Sequence, residues 1–401
     1  MRANRGTRRL TSLIAMLGAA LAVGGCGAAA GQPHRGAADA ASKAHSRPAA
    51  SASAAPTAPS SPAASPSPAT TGQVASYGYG TAPVPAAAQP ADTADPTQVI
   101  GDGSPASCTS AAVVQAVAEG GVITFNCGPD PVTITMTATA KVVNTHVRTV
   151  IDGGGKVTLS GDGQVRILYM NTCDPQQVYT TSDCWQQQYP QLVVQNLTFE
   201  DAYSAVQETS TSDYGGGAIF VEGGQLTVIN SGFFSNGCYP SGPDLGGAAI
   251  RALGMYAGSP VYLARDTFRD GRCSNGGALS SIDASWDVTD SFFGDNQAIG
   301  FGANPAQAGT AGGGSGGAIY TDGDNYTVTI DDCLIRNGSA REGGGAIFFV
   351  VDSGYGTLTI ENDSMLYNNP SGEFQNAPGI FDSVDGQVAP PVVTSGSVVS
   401  S

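Results

Sequence analysis

Apolar and polar positions alternate in short runs beyond the first quarter of the chain, and the runs repeat. Six octets share one order: apolar, any, apolar, any, polar, two variable positions, then a large apolar residue. They read LVVQNLTF (Leu192–Phe199), LTVINSGF (Leu226–Phe233), VYLARDTF (Val261–Phe268), WDVTDSFF (Trp286–Phe293), TVTIDDCL (Thr327–Leu334) and LTIENDSM (Leu358–Met365). Their starts lie 34, 35, 25, 41 and 31 residues apart. A period of two predicts short strands with one face inward. The fifth position holds Asn196, Asn230, Arg265, Asp290, Asp331 and Asn362. Asn and Asp tolerate left-handed backbone, so this position predicts a turn. An asparagine follows the octet within a few residues at Asn236, Asn296, Asn337 and Asn368. A second motif, close to Gly-Gly-Ala-Ile, interleaves at 216–219, 246–250, 276–279, 316–319 and 344–347.

One such unit cannot bury its own apolar face, so the repeats must stack. The expected fold is all-β: a single-stranded right-handed parallel β-helix. Eighth-position residues should stack from coil to coil, and fifth-position residues should form a ladder. An antiparallel sandwich would not need register-matched repeats. The segment SCTSAAVVQAVAEG (107–120) predicts a short capping helix over the first coil, with Ser107 or Thr109 as N-cap and Gly120-Gly121 as the stop. Early strands are expected at 122–126, 132–135, 147–151 and 165–170, and the far mouth should close near 374–381.

The alternation of Gly-Gly-Ala-Ile with Phe-x-x-Asn resembles the repeat of chlamydial polymorphic outer-membrane proteins. The coil pattern, with Val150–Gly155 followed by Val157–Ser160, is similar to right-handed parallel β-helices of the pectin-lyase-like superfamily. The resemblance spans about residues 105–385 and implies that fold. It implies no single activity, because lyases, hydrolases, adhesins and inert scaffolds share it.

The chain start adds an address. Arg2, Arg5, Arg8 and Arg9 precede an apolar run from Leu10 to Val23 that ends in Leu21-Ala22-Val23-Gly24-Gly25-Cys26. This order reads as a signal peptide over 1–26, and the small residues before Cys26 resemble a bacterial lipobox with Cys26 as the lipidated residue. Residues 27–96 read as a disordered tether. Within 27–95, 43 of 69 residues are Ala, Pro or Ser, and none is Ile, Leu, Phe, Met or Trp, so no core can form there. The β-helix is expected over 97–388 and a disordered tail over 389–401. The chain is therefore expected to be exported and lipid-anchored on the outer face of the cell membrane, with no other membrane contact.

Charge narrows the partners. Residues 1–95 carry 7 of the 17 Lys+Arg and 3 of the 33 Asp+Glu. The remainder has 10 basic and 30 acidic residues, which excludes a nucleic-acid binder. Only His34, His45 and His146 are present, too few for a His-based metal site or triad. No metal or cofactor is expected; calcium enters only if the chain is a lyase. Export favours disulfides, and proximity pairs Cys108 with Cys127, Cys173 with Cys184 and Cys238 with Cys273, leaving Cys333 as a buried thiol.

Three insertions interrupt the coils: 171–190, 200–215 and 297–315. The first carries Tyr179, Trp185 and Tyr189 among amides, a composition suited to sugar faces and also to filling a disulfide-closed loop. For catalysis, paired carboxylates are sought at Asp331-Asp332 and Asp322-Gly323-Asp324. A lyase base is sought in the group Arg265, Arg269 and Arg272 near Asp266 and Asp270. Arg265 and Asp331 are the catalytic candidates. Asp322–Asn325 reads as a turn that could also offer oxygen ligands to calcium. The Gly-His-Gly motif of polygalacturonases and the Trp-Ile-Asp-His and Arg-x-Pro-x-x-Arg motifs of the main pectate lyases are absent. The expected function is binding of polysaccharide or a cell-envelope partner without chemistry. The alternative is a polysaccharide lyase or hydrolase.

Overall fold

The computed structural model describes residues 82–205, 215–394 and 396–401. Cys26, the signal segment and most of the expected tether lie outside these residues. The repeats are the coils of an all-β parallel β-helix. The coil beginning at Gln225 shows the plan. Strand Gln225–Ile229 ends at Asn230 (φ 49°), strand Gly232–Phe234 ends at Ser235 (φ 52°), and Gly237–Cys238 follows. A Gly246-Gly247 turn then leads to strand Ile250–Leu253. Like strands of successive coils pair in parallel, building sheets of 17, 5 and 9 strands among the described residues. The long sheet bends at the left-handed residue of each coil, which is why one polar position recurs there.

Register places like on like. Leu226 lies over Leu192, Leu263 over Val228, and Trp286 over Val261. Phe199, Phe233, Phe268 and Phe293 form a buried stack, with centroids 4.7–4.9 Å apart and ring planes within 9°. After Phe293 the expected frame slips by one residue. Val328 lies beside Trp286 and Ile335 beside Phe293, and Leu366 beside Ile335. The stack therefore continues through Ile335 and Leu366, not Leu334 and Met365. The turn residue is Asp332 (φ 53°), and Asp331 ends the strand before it. In the next coil two consecutive left-handed residues, Asn362 and Asp363, add one residue to the turn, so Leu358 keeps the expected frame while Leu366 falls one residue beyond it.

Directly after the turn, a sixth-position ladder runs inside the coils. Leu197 N donates to Ser231 Oγ, Ser231 N to Asp266 Oδ1, and Asp266 N to Ser291 Oγ. Ser291 N then donates to Cys333 Sγ, and Cys333 N to Ser364 Oγ. Cys333, buried and free as expected, thus stands where other coils use serine. A second ladder is made of asparagines: Asn236, Asn296 and Asn369 are buried, and each donates to a backbone carbonyl of a neighbouring coil. Asn337 and Asn368, which the repeat pattern groups with Asn236 and Asn296, sit one residue earlier at left-handed positions on the surface. In every Gly-Gly pair of the Gly-Gly-Ala-Ile motif but Gly246-Gly247 the first glycine takes positive φ, as at Gly316 (71°), and the second faces the next coil so closely that a Cβ on Gly317 would lie 1.9 Å from Gly345 O.

The cap is the helix Ser110–Glu119, whose N-cap Thr109 Oγ1 accepts from Ala112 N and whose stop is Gly120 (φ 69°). No helix among the described residues is long and apolar enough to cross a membrane. All three expected disulfides are present. Residues 82–94 and the strands near 392–399 are more ordered than composition suggests. Residues 82–94 form a strap along the long sheet: Ala88 packs with Val150, Val193, Ile229 and Ala264, flanked by Val84 and Ala91. Ala82 N donates to Asp332 Oδ2, Ala91 N to Gln195 Oε1, and Thr93 Oγ1 to Asp152 Oδ2. The outward stripe on the sheet supplies the apolar partner that the strap's own sequence lacks. At the other end, Val392–Val393 and Val398–Val399 pair with the last coil, so 389–401 covers an exposed strand edge instead of trailing free.

Candidate functional site

Strands of the nine-strand sheet turn one row of side chains outward. In register they are Tyr169, Phe220, Arg251, Ser280, Tyr320, Phe348 and Phe381. Tyr169 stacks on Phe220 at 5.4 Å, and Tyr320 on Phe348 at 5.4 Å. The Arg166 guanidinium lies 4.9 Å from the Phe220 ring centre. Most of this row is buried, although it faces away from the coil interior. Asp174 of loop 171–190, Asp244 and Asn304 of loop 297–315 reach over it, onto Tyr169, Arg251 and Tyr320.

Loop 171–190 is tied down at several points. Thr172 Oγ1 donates to Cys184 O, Gln186 N to Gly254 O, and Gln186 Oε1 accepts from Ala257 N. Trp185 is held by its edge: Nε1 donates to Glu222 Oε1 at 2.7 Å, and the ring lies on Gly254. The ring remains 44% exposed, and Tyr179 and Tyr189 of the same loop are 55% and 45% exposed. The loop therefore presents aromatic surface on a fixed base, with the indole N–H already satisfied by the protein.

Loop 297–315 forms a small antiparallel ribbon, Phe301 with Gly312 and Ala303 with Gly313. It carries Asn304 onto Tyr320, where the amide donates to the phenol oxygen. Tyr320 Oη in turn donates to Asp322 Oδ2 at 3.0 Å. Burial, reinforced by the charge of Asp352, pushes Asp322 up to about 7. A carboxyl group in that range holds a proton near neutrality and can give it up. The neighbouring Asp324 and Asn325 are occupied as turn ties: Asp324 Oδ1 accepts from Ser353 N and Oγ, and Asn325 Oδ1 from Tyr355 N. Among the described residues no group of three metal-ligating side chains forms.

The arginine group expected at 265–272 is dispersed. Left-handed residues at 265 and 270 turn successive side chains onto different faces. Arg265 pairs with Asp290 at 3.4 Å and Arg269 with Asp295 at 3.2 Å, each one coil on. Asp266 points inward, and burial drives its carboxyl well above the usual range. Arg272 alone reaches the five-strand sheet. Asp331 accepts from Asn362 Nδ2 at 2.8 Å, and burial with the nearby charges of Asp332 and Asp290 raises it. Arg265 and Asp331 are thus separated by the coil of Asp290, and each has a partner within the stack. Sequence reading missed the outward row of the nine-strand sheet. Its signal was the aromatic after Gly-Gly-Ala-Ile at Phe220, Tyr320 and Phe348.

The fold defines the chain as a parallel β-helix protein. No family model, characterised protein or solved structure matches it.

Proposed function

We propose that the chain is a surface lipoprotein, anchored through Cys26 on the outer face of the membrane, whose β-helix binds polysaccharide or another envelope partner. The coil pattern's likeness to the pectin-lyase-like superfamily and to chlamydial outer-membrane repeats supports an extracellular setting. The observation that carries the binding reading is Trp185, fixed through Glu222 yet half-exposed beside Tyr179 and Tyr189. A rigid aromatic face stacks on sugar C–H surfaces with little ordering cost. The test is retention of the purified chain on a panel of plant and bacterial polysaccharides. Trp185→Ala should weaken retention about tenfold with an unchanged melting curve. Retention equal to wild type on every polysaccharide refutes the assignment of the loop.

Asp322 supports a second reading, a polysaccharide hydrolase or lyase, because it carries an exchangeable proton near neutral pH. That reading requires new reducing ends or unsaturated products, with or without calcium, that Asp322→Asn abolishes. Loss with Asp331→Asn or Arg265→Ala instead would move the chemistry to the long sheet.

A further inference from the structure

On the side of the five-strand sheet, two adjoining cavities of 310 and 470 Å³ share Arg272, Ile299 and Arg341 in their walls. Arg272, Gln297 and Ser339 are consecutive steps of one register row, so their side chains sit one strand spacing apart, about 4.8 Å. Phe301, 58% exposed, forms part of the second cavity.

One feature sets this place apart. Arg166, Arg251, Arg265, Arg269 and Arg336 are each engaged by carbonyls, carboxylates, hydroxyls or rings. Arg272 and Arg341 make no ion pair or side-chain hydrogen bond with any described residue. Two exposed guanidiniums converge here in a domain where acidic residues outnumber basic ones threefold, 30 to 10.

We propose that this double cavity binds an oxyanion carried on a sugar, held by Arg272 and Arg341. Guanidinium forks match carboxylate and phosphate oxygens in pairs. Gln297 and Ser339 offer an amide and a hydroxyl for the sugar's hydroxyl groups, and Phe301 offers a ring face. The acidic domain repels a dense polyanion at long range, so the fitting polymer carries its charges sparsely. The proposal builds on the glycan-binding reading and adds a subsite on a different face from Trp185.

The test titrates the purified chain with methyl glucuronide, glucose 1-phosphate and methyl glucoside, followed by ligand-observed NMR. The two anionic sugars should bind at least tenfold more tightly than the neutral one, and their ratio tells carboxylate from phosphate. Arg272→Ala and Arg341→Ala should each weaken anionic binding about tenfold. Both positions are exposed, so the melting curve should not move. Trp185→Ala should leave this binding intact. Equal binding of neutral and anionic sugars, or anionic binding that survives the double arginine substitution, overturns the proposal. Loss of polysaccharide retention in Trp185→Ala with anionic-sugar binding preserved would isolate the two sites from each other.

Discussion

Leu366 and Met365 are adjacent, and the fold gives them opposite roles. Leu366 is fully buried in the column that continues the phenylalanine stack, between Ile335 below and Val399 above. Met365 is 37% exposed. Leu366→Ala removes three buried carbons, about 2.4 kcal/mol at about 0.8 per methylene, and a residual cavity raises the cost toward about 3–4 kcal/mol. Met365→Ala should cost under about 1 kcal/mol. Phe233→Ala, in the middle of the stack, should cost about 3–5 kcal/mol. Urea unfolding followed by circular dichroism reads all three as shifts in midpoint and slope. Because coils couple chiefly to their neighbours, Leu366→Ala should also lower the slope, as the last coil comes away before the rest. A cost for Met365→Ala equal to or above that for Leu366→Ala would refute the register and return the stack to the original eighth-position frame.

Cys333→Ser should be within about 1 kcal/mol of wild type, since a hydroxyl can accept from Ser291 N as serine does in other coils. Cys333→Val should cost about 1–3 kcal/mol by stranding that N–H, and equal urea midpoints for the two would sink the ladder. Asp266 is raised by burial, so the folded chain keeps a proton that the unfolded chain has lost, and stability falls as pH rises above the unfolded value of about 3.9. Asp266→Ser keeps an acceptor for Ser231 N but loses the one for Ala264 N. It should be about 1–2 kcal/mol less stable than wild type near pH 3 and gain on it steadily at higher pH. A pH-independent difference between their melts would refute the buried titration. Ala88→Glu should release the strap and speed proteolysis within 82–94 at least tenfold while the coil melt moves little; continued protection would mean that the strap does not depend on its apolar contacts.

Much of the coil was legible because each octet position is constrained by its neighbours above and below. Through Phe293 the inward positions are unambiguous, and frame and register agree. TVTIDDCL misleads because a threonine can occupy the first position and two aspartates compete for the turn; only the pairing of Val328 with Trp286 decides. The strap and the tail were illegible for the opposite reason. Their sequences carry too little apolar surface to fold alone, and what orders them is the stripe at Val150, Val193 and Ile229 and the open edge of the last coil. The site was the least legible part. Arg265, Arg269 and Arg272 lie close in sequence, but left-handed turns send them to different places, whereas Arg272 and Arg341 meet only because coils stack.

This division bears on where function can reside. A residue in the repeated octet is held by partners one coil away: Arg265 by Asp290, Asp331 by Asn362, Asp266 by the amide of Ser231. Freeing such a side chain for a ligand would break a contact that sustains the stack, so substitutions there should register first in stability. The insertions carry no such obligation. Trp185 and Phe301 project from loops fastened to the coils by backbone and amide bonds, which leaves their ring faces exposed, while Arg272 lies where the ladder imposes no partner. Under the proposed function, recognition would use positions that the stacking rule leaves open, and the two proposed subsites both satisfy that condition.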